Sequence, residues 1–313
     1  MRAAGETKAA GAVLRTAVEL GGKLAHKVAP DNVPRTSCYH SPLMAYEFLQ
    51  GGRRLIGVVH LAPLPGTAGA PPRAADAMRR VIDLALADVS ALEAGGMDGA
   101  IVENFGDAPF HRSQVPASIV AALTAACMEV RRAVKFPLGV NVLRNDVQSA
   151  LSIAAACGYA FVRVNVHAGA MVTDQGVIEG AAAETLALRR ALGADDVAIW
   201  ADVLVKHATP LAGSRAELLQ QMAEDTYRRG RADALIVSGA GTGKGTSLDD
   251  VGVVRRAVPE APVLVGSGTT LSSVKATMDA CHGAIVGTWV KEDGKVDRPV
   301  DVARVREIVQ AAR

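Results

Sequence analysis

Between Gly57 and Thr288 the hydrophobic positions follow a repeating change of period. A short apolar run gives way to a loop rich in Gly, Asp, Asn or His. A stretch follows in which apolar residues return every three or four positions. Residues 76–94 show that second pattern, with Met78, Ile82, Ala85, Val89 and Leu92 on one helical stripe. The cycle occurs eight times and predicts strands at 56–61, 99–105, 137–143, 161–166, 198–205, 234–238, 262–266 and 284–287. The predicted helices cover 76–94, 118–134, 146–158, 181–192, 215–229, 248–257, 271–281 and 302–312. Alternating strands and helices predict a parallel sheet. Eight units predict closure into an α/β fold, a (β/α)8 TIM barrel. No G-x-G-x-x-G follows any strand, which argues against an open dinucleotide-binding sheet.

The first 50 residues stand outside this repeat as an N-terminal extension, and residues 51–313 form the barrel domain. Residues 1–28 are rich in Ala and Gly, with scattered Arg and Lys and few acids. Val13, Ala17, Leu20 and Leu24 could line a weak amphipathic helix. That composition suits an organelle transit peptide or a plain alanine-rich tail, and it lacks the compact apolar region of a secretory signal. Residues 30–42 read as irregular chain, and 44–49 as a short helix closing the bottom of the barrel.

In this fold chemistry sits at the C-terminal ends of the strands. Period-two alternation turns Val162, Val164 and Val166 toward the helices, and Arg163, Asn165 and His167 into the barrel. Trp200, Asp202, Leu204 and Lys206 share one parity, and Asn141 points inward between Val140 and Val142. Unpartnered, such groups would each cost several kcal/mol to bury. A ring of polar side chains at the mouth therefore reads as a site. The candidate catalytic residues are His60, Glu103, Asn141, Asn165, His167, Asp202 and Lys206. His60 suits proton exchange or a rim hydrogen bond. Glu103 suits a base, a metal ligand or the partner of Arg163. Lys206 suits a Schiff base or the holding of an anionic substrate. His207 reads as packing or site, and Asp107 and His111 as lid or plain loop.

Two glycine-rich segments bear on ligands. The stretch Gly239 to Gly245 lacks the first Gly and the final Ser or Thr of a P-loop. It could still close over a ligand, with Lys244 meeting negative charge. The segment Gly266-Ser267-Gly268-Thr269-Thr270 leaves the seventh strand, and Gly287-Thr288 leaves the eighth. Phosphate sites in such barrels often use these two loops, with exposed N–H groups and a helix N-terminus facing the anion. The expected substrate- or phosphate-binding residues are Ser238, Lys244, Gly266, Ser267, Gly268, Thr269, Gly287 and Thr288. The alternative is two tight turns that need Gly for backbone reasons.

Composition narrows the partners. The net charge is +2 and aromatics make up 4% of the chain, so no basic stripe with interleaved aromatics marks a nucleic-acid surface. Cys38, Cys127, Cys157 and Cys281 show no C-x-x-C spacing and read as reduced thiols of a cytoplasmic protein. No apolar run approaches the roughly 20 residues of a transmembrane helix. Peripheral membrane association and a homo-oligomer stay open. No zinc or calcium spacing occurs, so no cofactor is expected, although Glu103, Asp202 and a His could share a divalent metal.

Four stretches carry a family resemblance: 57–66 (GVVHLAPLPG), 96–110 (GMDGAIVENFGDAPF), 201–208 (ADVLVKHA) and 283–291 (GAIVGTWVK), the last continuing into 293–295. On these the chain from about Arg54 onward resembles the BtpA/SgcQ family. The resemblance implies a barrel. Its namesake is linked to photosystem I biogenesis as a membrane-associated factor, whereas other members look like parts of sugar-metabolism gene clusters. His60, Glu103, Asn104, Asp107, Asp202, Lys206 and His207 fall on the family's motif positions. Two functions follow. One is an enzyme acting on a small phosphorylated metabolite, a sugar or nucleoside-derived phosphate. It would be a lyase, an isomerase or a glycosidic-bond hydrolase, with Glu103 or His167 as base and Lys206 stabilising negative charge. The other is a non-catalytic assembly factor for a membrane complex.

Overall fold

A computed structural model of the chain describes residues 48–49, 51–239, 241–242 and 245–313. The first 47 residues, Gln50, Ala240, Gly243 and Lys244 lie outside the described residues. So do the expected N-terminal amphipathic helix and most of the short helix at 44–49.

Eight parallel strands close into a barrel. In order around it they are β1 (Arg54–His60), β2 (Gly99–Glu103), β3 (Leu138–Asn141), β4 (Phe161–Val164), β7 (Ala198–Val203), β9 (Ala234–Val237), β10 (Val263–Val265) and β11 (Gly283–Val286), which returns to β1. The expected (β/α)8 fold is therefore the observed one. Helices α1 (Ala74–Gly95), α2 (Ala117–Ala133), α3 (Val147–Cys157), α4 (Ala182–Ala191), α5 (Arg215–Glu224), α6 (Leu248–Ala257), α7 (Val274–Ala280) and α8 (Val302–Ala312) are those among the described residues. None is long and apolar enough to cross a membrane.

Local chemistry sets the helix ends. The Asp146 side chain caps α3 by accepting from the Ser149 N–H, and Gly158 ends it in the left-handed conformation. Ser214 and Glu217 form a capping box on α5, where the prediction of one helix over 215–229 gives way to α5 and a π-turn over Asp225–Arg229. Helix α7 begins at Val274, three residues later than expected.

Two apolar layers follow from strand alternation. Val140, Val162, Val164, Val203 and Val237 face the helices, in one buried cluster with Val89, Leu123 and Leu151. Ile56, Val58, Ile101, Phe161, Trp200, Ile236, Leu264 and Ile285 fill the barrel interior. Phe161 and Trp200 stack there with centroids 3.7 Å apart. A Cβ on Gly139 would strike the Phe161 ring, so this strand position has to be glycine.

The register lines up polar residues at the top. His60 pairs with Glu103, and Glu103 pairs with Asn141, across three neighbouring strands. The ladders end sooner than the apolar runs suggest. β4 stops at Val164, and the chain turns after β7 through Leu204 at φ 51°. One element was not foreseen. The loop around Thr173–Gly176 is the turn of a hairpin, β5 (Ala170–Thr173) and β6 (Gly176–Glu179), joined by β8 (Ala208–Pro210) into an antiparallel sheet.

Candidate active site at the barrel mouth

Arg163 is the hub of the mouth. Its Nε donates to Asp202 Oδ2 at 2.9 Å, its Nη2 to Asp202 Oδ1 at 3.1 Å and its Nη1 to Glu103 Oε1 at 3.2 Å. Asp202 also accepts from Ser238 Oγ at 2.8 Å and from Asn165 Nδ2 at 3.2 Å. Asn141 Nδ2 donates to Glu103 Oε1 at 3.2 Å. All six side chains are buried. The guanidinium and the two carboxylates satisfy one another, which is what allows such buried charges on top of an apolar barrel interior.

The electrostatics assign different states to neighbouring groups. Burial works against the charged form of Arg163, but Asp202 and Glu103 outweigh it and raise its pKa. Burial likewise pushes Glu103 upward, yet Arg163 and Lys206 hold it below the usual carboxylate range. Glu103 is thus ionised and already paired, which makes it a weak base. Burial together with Arg163 brings the Lys206 ammonium down to about 8, against the pull of Glu103 and Asp202. His60 falls to about 3, mainly through burial and against the attraction of Glu103, so its ring is neutral near pH 7. Its Nδ1 is buried with no hydrogen-bond partner, and its ring meets Phe105 edge-on at 4.7 Å.

The mouth opens into two adjoining lobes. One, of about 210 Å³, runs from His60 to the segments 266–270 and 285–289. The other, of about 560 Å³, runs from Asn141 and Asn165 to Phe105, Phe110, Leu143 and Arg144. Glu103, Arg163, Lys206 and Thr242 border both. The smaller lobe is lined by both of the glycine-containing segments that leave the last two strands. Among the described residues, the backbone N–H groups of Gly268, Thr269, Gly287 and Thr288 make no hydrogen bond, and the buried Thr269 hydroxyl has no partner.

Several expected site residues do other work. The Gly266 N–H donates to the Val237 carbonyl at 2.8 Å. Gly266 is glycine because a Cβ would come within 2.5 Å of both Ile236 Cγ2 and Ser238 Oγ. Ser238 holds Asp202 rather than an anion. Ser267 lines the smaller lobe, and its Oγ accepts from the Gly239 N–H at 3.0 Å. The turn at Thr270–Ser273 separates Thr269 from the start of α7. Lys244 lies outside the described residues. His167 is the clearest departure. It stands three residues past the end of β4, and its Nε2 lies 2.8 Å from the Gly230 carbonyl oxygen, away from both lobes. Asp107 is a clamp, accepting from the Leu64 N–H at 2.8 Å and Asn104 Nδ2 at 2.9 Å. His207, at φ 56°, accepts from the Thr242 N–H at 3.0 Å and borders the larger lobe.

Arg144, Phe105, Phe110 and Thr242 also line the mouth, and the pattern of strands did not single them out. Arg144 is buried and donates to the Lys206 carbonyl at 2.6 Å, tying the β3 loop to the β7 loop. The one signal for it was a basic residue three positions past the inward Asn141. Among the described residues no three His, Cys, Asp or Glu side chains come together as a metal-binding group. The Glu103 and Asp202 carboxylates are both turned onto Arg163, which already supplies the positive charge between them.

Known proteins give the same architecture. The chain matches phosphoribosylanthranilate isomerase from Pyrococcus furiosus with TM-score 0.52 and 13% identity, over 83% of this chain and 98% of that one. It matches tryptophan synthase from M. tuberculosis with TM-score 0.54 and 18% identity, over 87% and 99%. At such identities the likeness is one of fold. Closer in sequence is an uncharacterized protein of Pyrococcus furiosus, 44% identical over 256 residues, 82% of this chain and 93% of that one. The photosystem I biogenesis protein BtpA of Synechocystis is 43% identical over 266 residues, 85% and 90%. The BtpA family model matches residues 52–313. The chain belongs to the BtpA family.

Proposed function

We propose that the protein is a cytoplasmic enzyme acting on a small phosphorylated metabolite, a sugar or nucleoside-derived phosphate, by acid/base chemistry at the barrel mouth. The observation that carries this reading is the adjacency of two unlike features. A cradle of unsatisfied N–H groups at Gly268, Thr269, Gly287 and Thr288 borders a lobe that also contains Lys206. Phosphate in the cradle would hold the rest of the substrate over Glu103, Arg163 and Lys206. Lys206, at about 8, exchanges protons near physiological pH, the property a general acid or base needs. Arg163 stabilises negative charge that develops on the substrate. Neutral His60 contributes a hydrogen bond rather than a charge. A lyase, isomerase or glycosidic-bond hydrolase reaction suits such a set.

The test is a thermal-shift panel of sugar phosphates, nucleosides and nucleoside monophosphates, followed by turnover assays on any compound that raises the Tm. Lys206→Ala is expected to abolish turnover while leaving the ligand-free Tm within a few degrees. The name of the Synechocystis relative favours a second reading, an assembly factor for a membrane complex. In that case no phosphorylated compound shifts the Tm, and Lys206→Ala is without effect on assembly.

A further inference from the structure

The larger lobe differs in character from the anion cradle beside it. The chain has 5 phenylalanines, and two of them, Phe105 and Phe110, form one wall with centroids 6.5 Å apart. Both are only half-buried, as side chains lining an open cavity are. Leu143 continues the apolar surface. Polar groups border it at defined points. The Asn165 amide is 2% exposed, and its Nδ2 is fixed on Asp202 Oδ2 at 3.2 Å. That bond sets the orientation of the amide and leaves Oδ1 buried without a partner. The Arg144 guanidinium stands on the same lobe.

A sugar phosphate alone would leave this space unused. The smaller lobe takes a phosphate, and the shared floor of Glu103, Arg163 and Lys206 takes a polyhydroxylated link. An aromatic wall and an orphan acceptor then remain, in a volume of about 560 Å³. Flat π-systems bind aromatic side chains well, and a buried carbonyl oxygen calls for a hydrogen-bond donor, which a planar heterocycle supplies as a ring N–H or amino group. We infer that the ligand carries a planar nitrogen heterocycle with an N–H or amino group, lodged against Phe105 and Phe110 and donating to Asn165 Oδ1, as in a nucleoside 5′-monophosphate. This rests on the phosphate reading above and goes beyond it, because it excludes a bare sugar phosphate as the preferred substrate class.

Isothermal titration separates the two. The probes are AMP, GMP, CMP, UMP, ribose 5-phosphate and inorganic phosphate. At least one of the four nucleotides is expected to bind about tenfold or more tightly than ribose 5-phosphate, the scale of one base–aromatic stack. Phe110→Ala is expected to remove that advantage while leaving the ribose 5-phosphate Kd within about twofold. Phe110→Leu, which keeps apolar bulk without a ring, gives the same comparison if the alanine variant fails to fold. Ribose 5-phosphate binding as tightly as every nucleotide would overturn the heterocycle and leave the phosphate reading intact. An advantage that survives both Phe110 variants would overturn it as well. Failure of all six probes would overturn both readings.

Discussion

Arg163 grips Asp202 through two parallel hydrogen bonds, Nε to Oδ2 at 2.9 Å and Nη2 to Oδ1 at 3.1 Å. Both residues are buried, and Glu103 completes the cluster. Removing the cation strands two carboxylates in an apolar barrel. Arg163→Met is therefore expected to cost roughly 3–5 kcal/mol of stability, read from urea denaturation. The double variant Arg163→Met/Asp202→Leu should recover part of that loss, since one stranded charge goes with it. Equal stabilities of wild type and Arg163→Met would show that the cluster does not hold the mouth together.

His60 sets an acid limit. Its folded-state pKa of about 3 lies below the 6.5 of an unfolded histidine. Between those values the unfolded chain takes up a proton that the folded site refuses, so stability is lost as pH falls from 6.5 toward 3. Glu103, also lowered, acts in the same direction below its ordinary 4.5. Tm measured across this window should fall more gently in His60→Gln than in the wild type. Parallel curves would remove His60 as a buried neutral group.

Lys206 should be the most reactive lysine at mildly alkaline pH. With a pKa of about 8 against an ordinary 10.5, it carries a far larger neutral fraction at pH 8 than an exposed lysine does. Brief acylation with peptide mapping is expected to label Lys206 first, with half-maximal reactivity near pH 8. Labelling that rises only near pH 10 would mean an ordinary lysine.

Gly287 separates binding from folding. A Cβ there would lie 2.9 Å from His60 Cε1, inside the smaller lobe. Gly287→Ala is expected to weaken binding of inorganic phosphate about tenfold or more while shifting the Tm little, because His60 can tilt toward the open lobe. Unchanged phosphate affinity would remove the eighth-strand loop from the anion site.

Much of the mouth was legible because strand alternation is rigid where a ladder exists. Asn141, Arg163, Trp200 and Asp202 all lie on paired strand positions, and all face inward as their parity requires. His167 departs from its expected place because it lies three residues past the end of β4, whereas Asn165, next to that end, still faces inward. Gly266 was misread for a different reason. A glycine that offers its N–H to a ligand and one that makes room for a neighbour look alike in sequence, and here Ser238 and Ile236 needed the room. Arg144 and Phe110 come from loops, whose paths no period encodes, and Phe105 opens a 3-10 turn where the expected strand 99–105 stops at Glu103. The β5–β6 hairpin leaves little trace in the sequence because its strands are short and each buries a single residue, so alternation carries little hydrophobic signal.

The most direct measurement is a crystal structure of the protein soaked with ribose 5-phosphate. The phosphate is expected within hydrogen-bond distance of the N–H groups of Gly268, Thr269, Gly287 and Thr288, with the sugar over Glu103, Arg163 and Lys206. A ligand bound outside the mouth, or an empty cradle at saturating concentration, would contradict the assignment of this rim as a phosphate-holding active site.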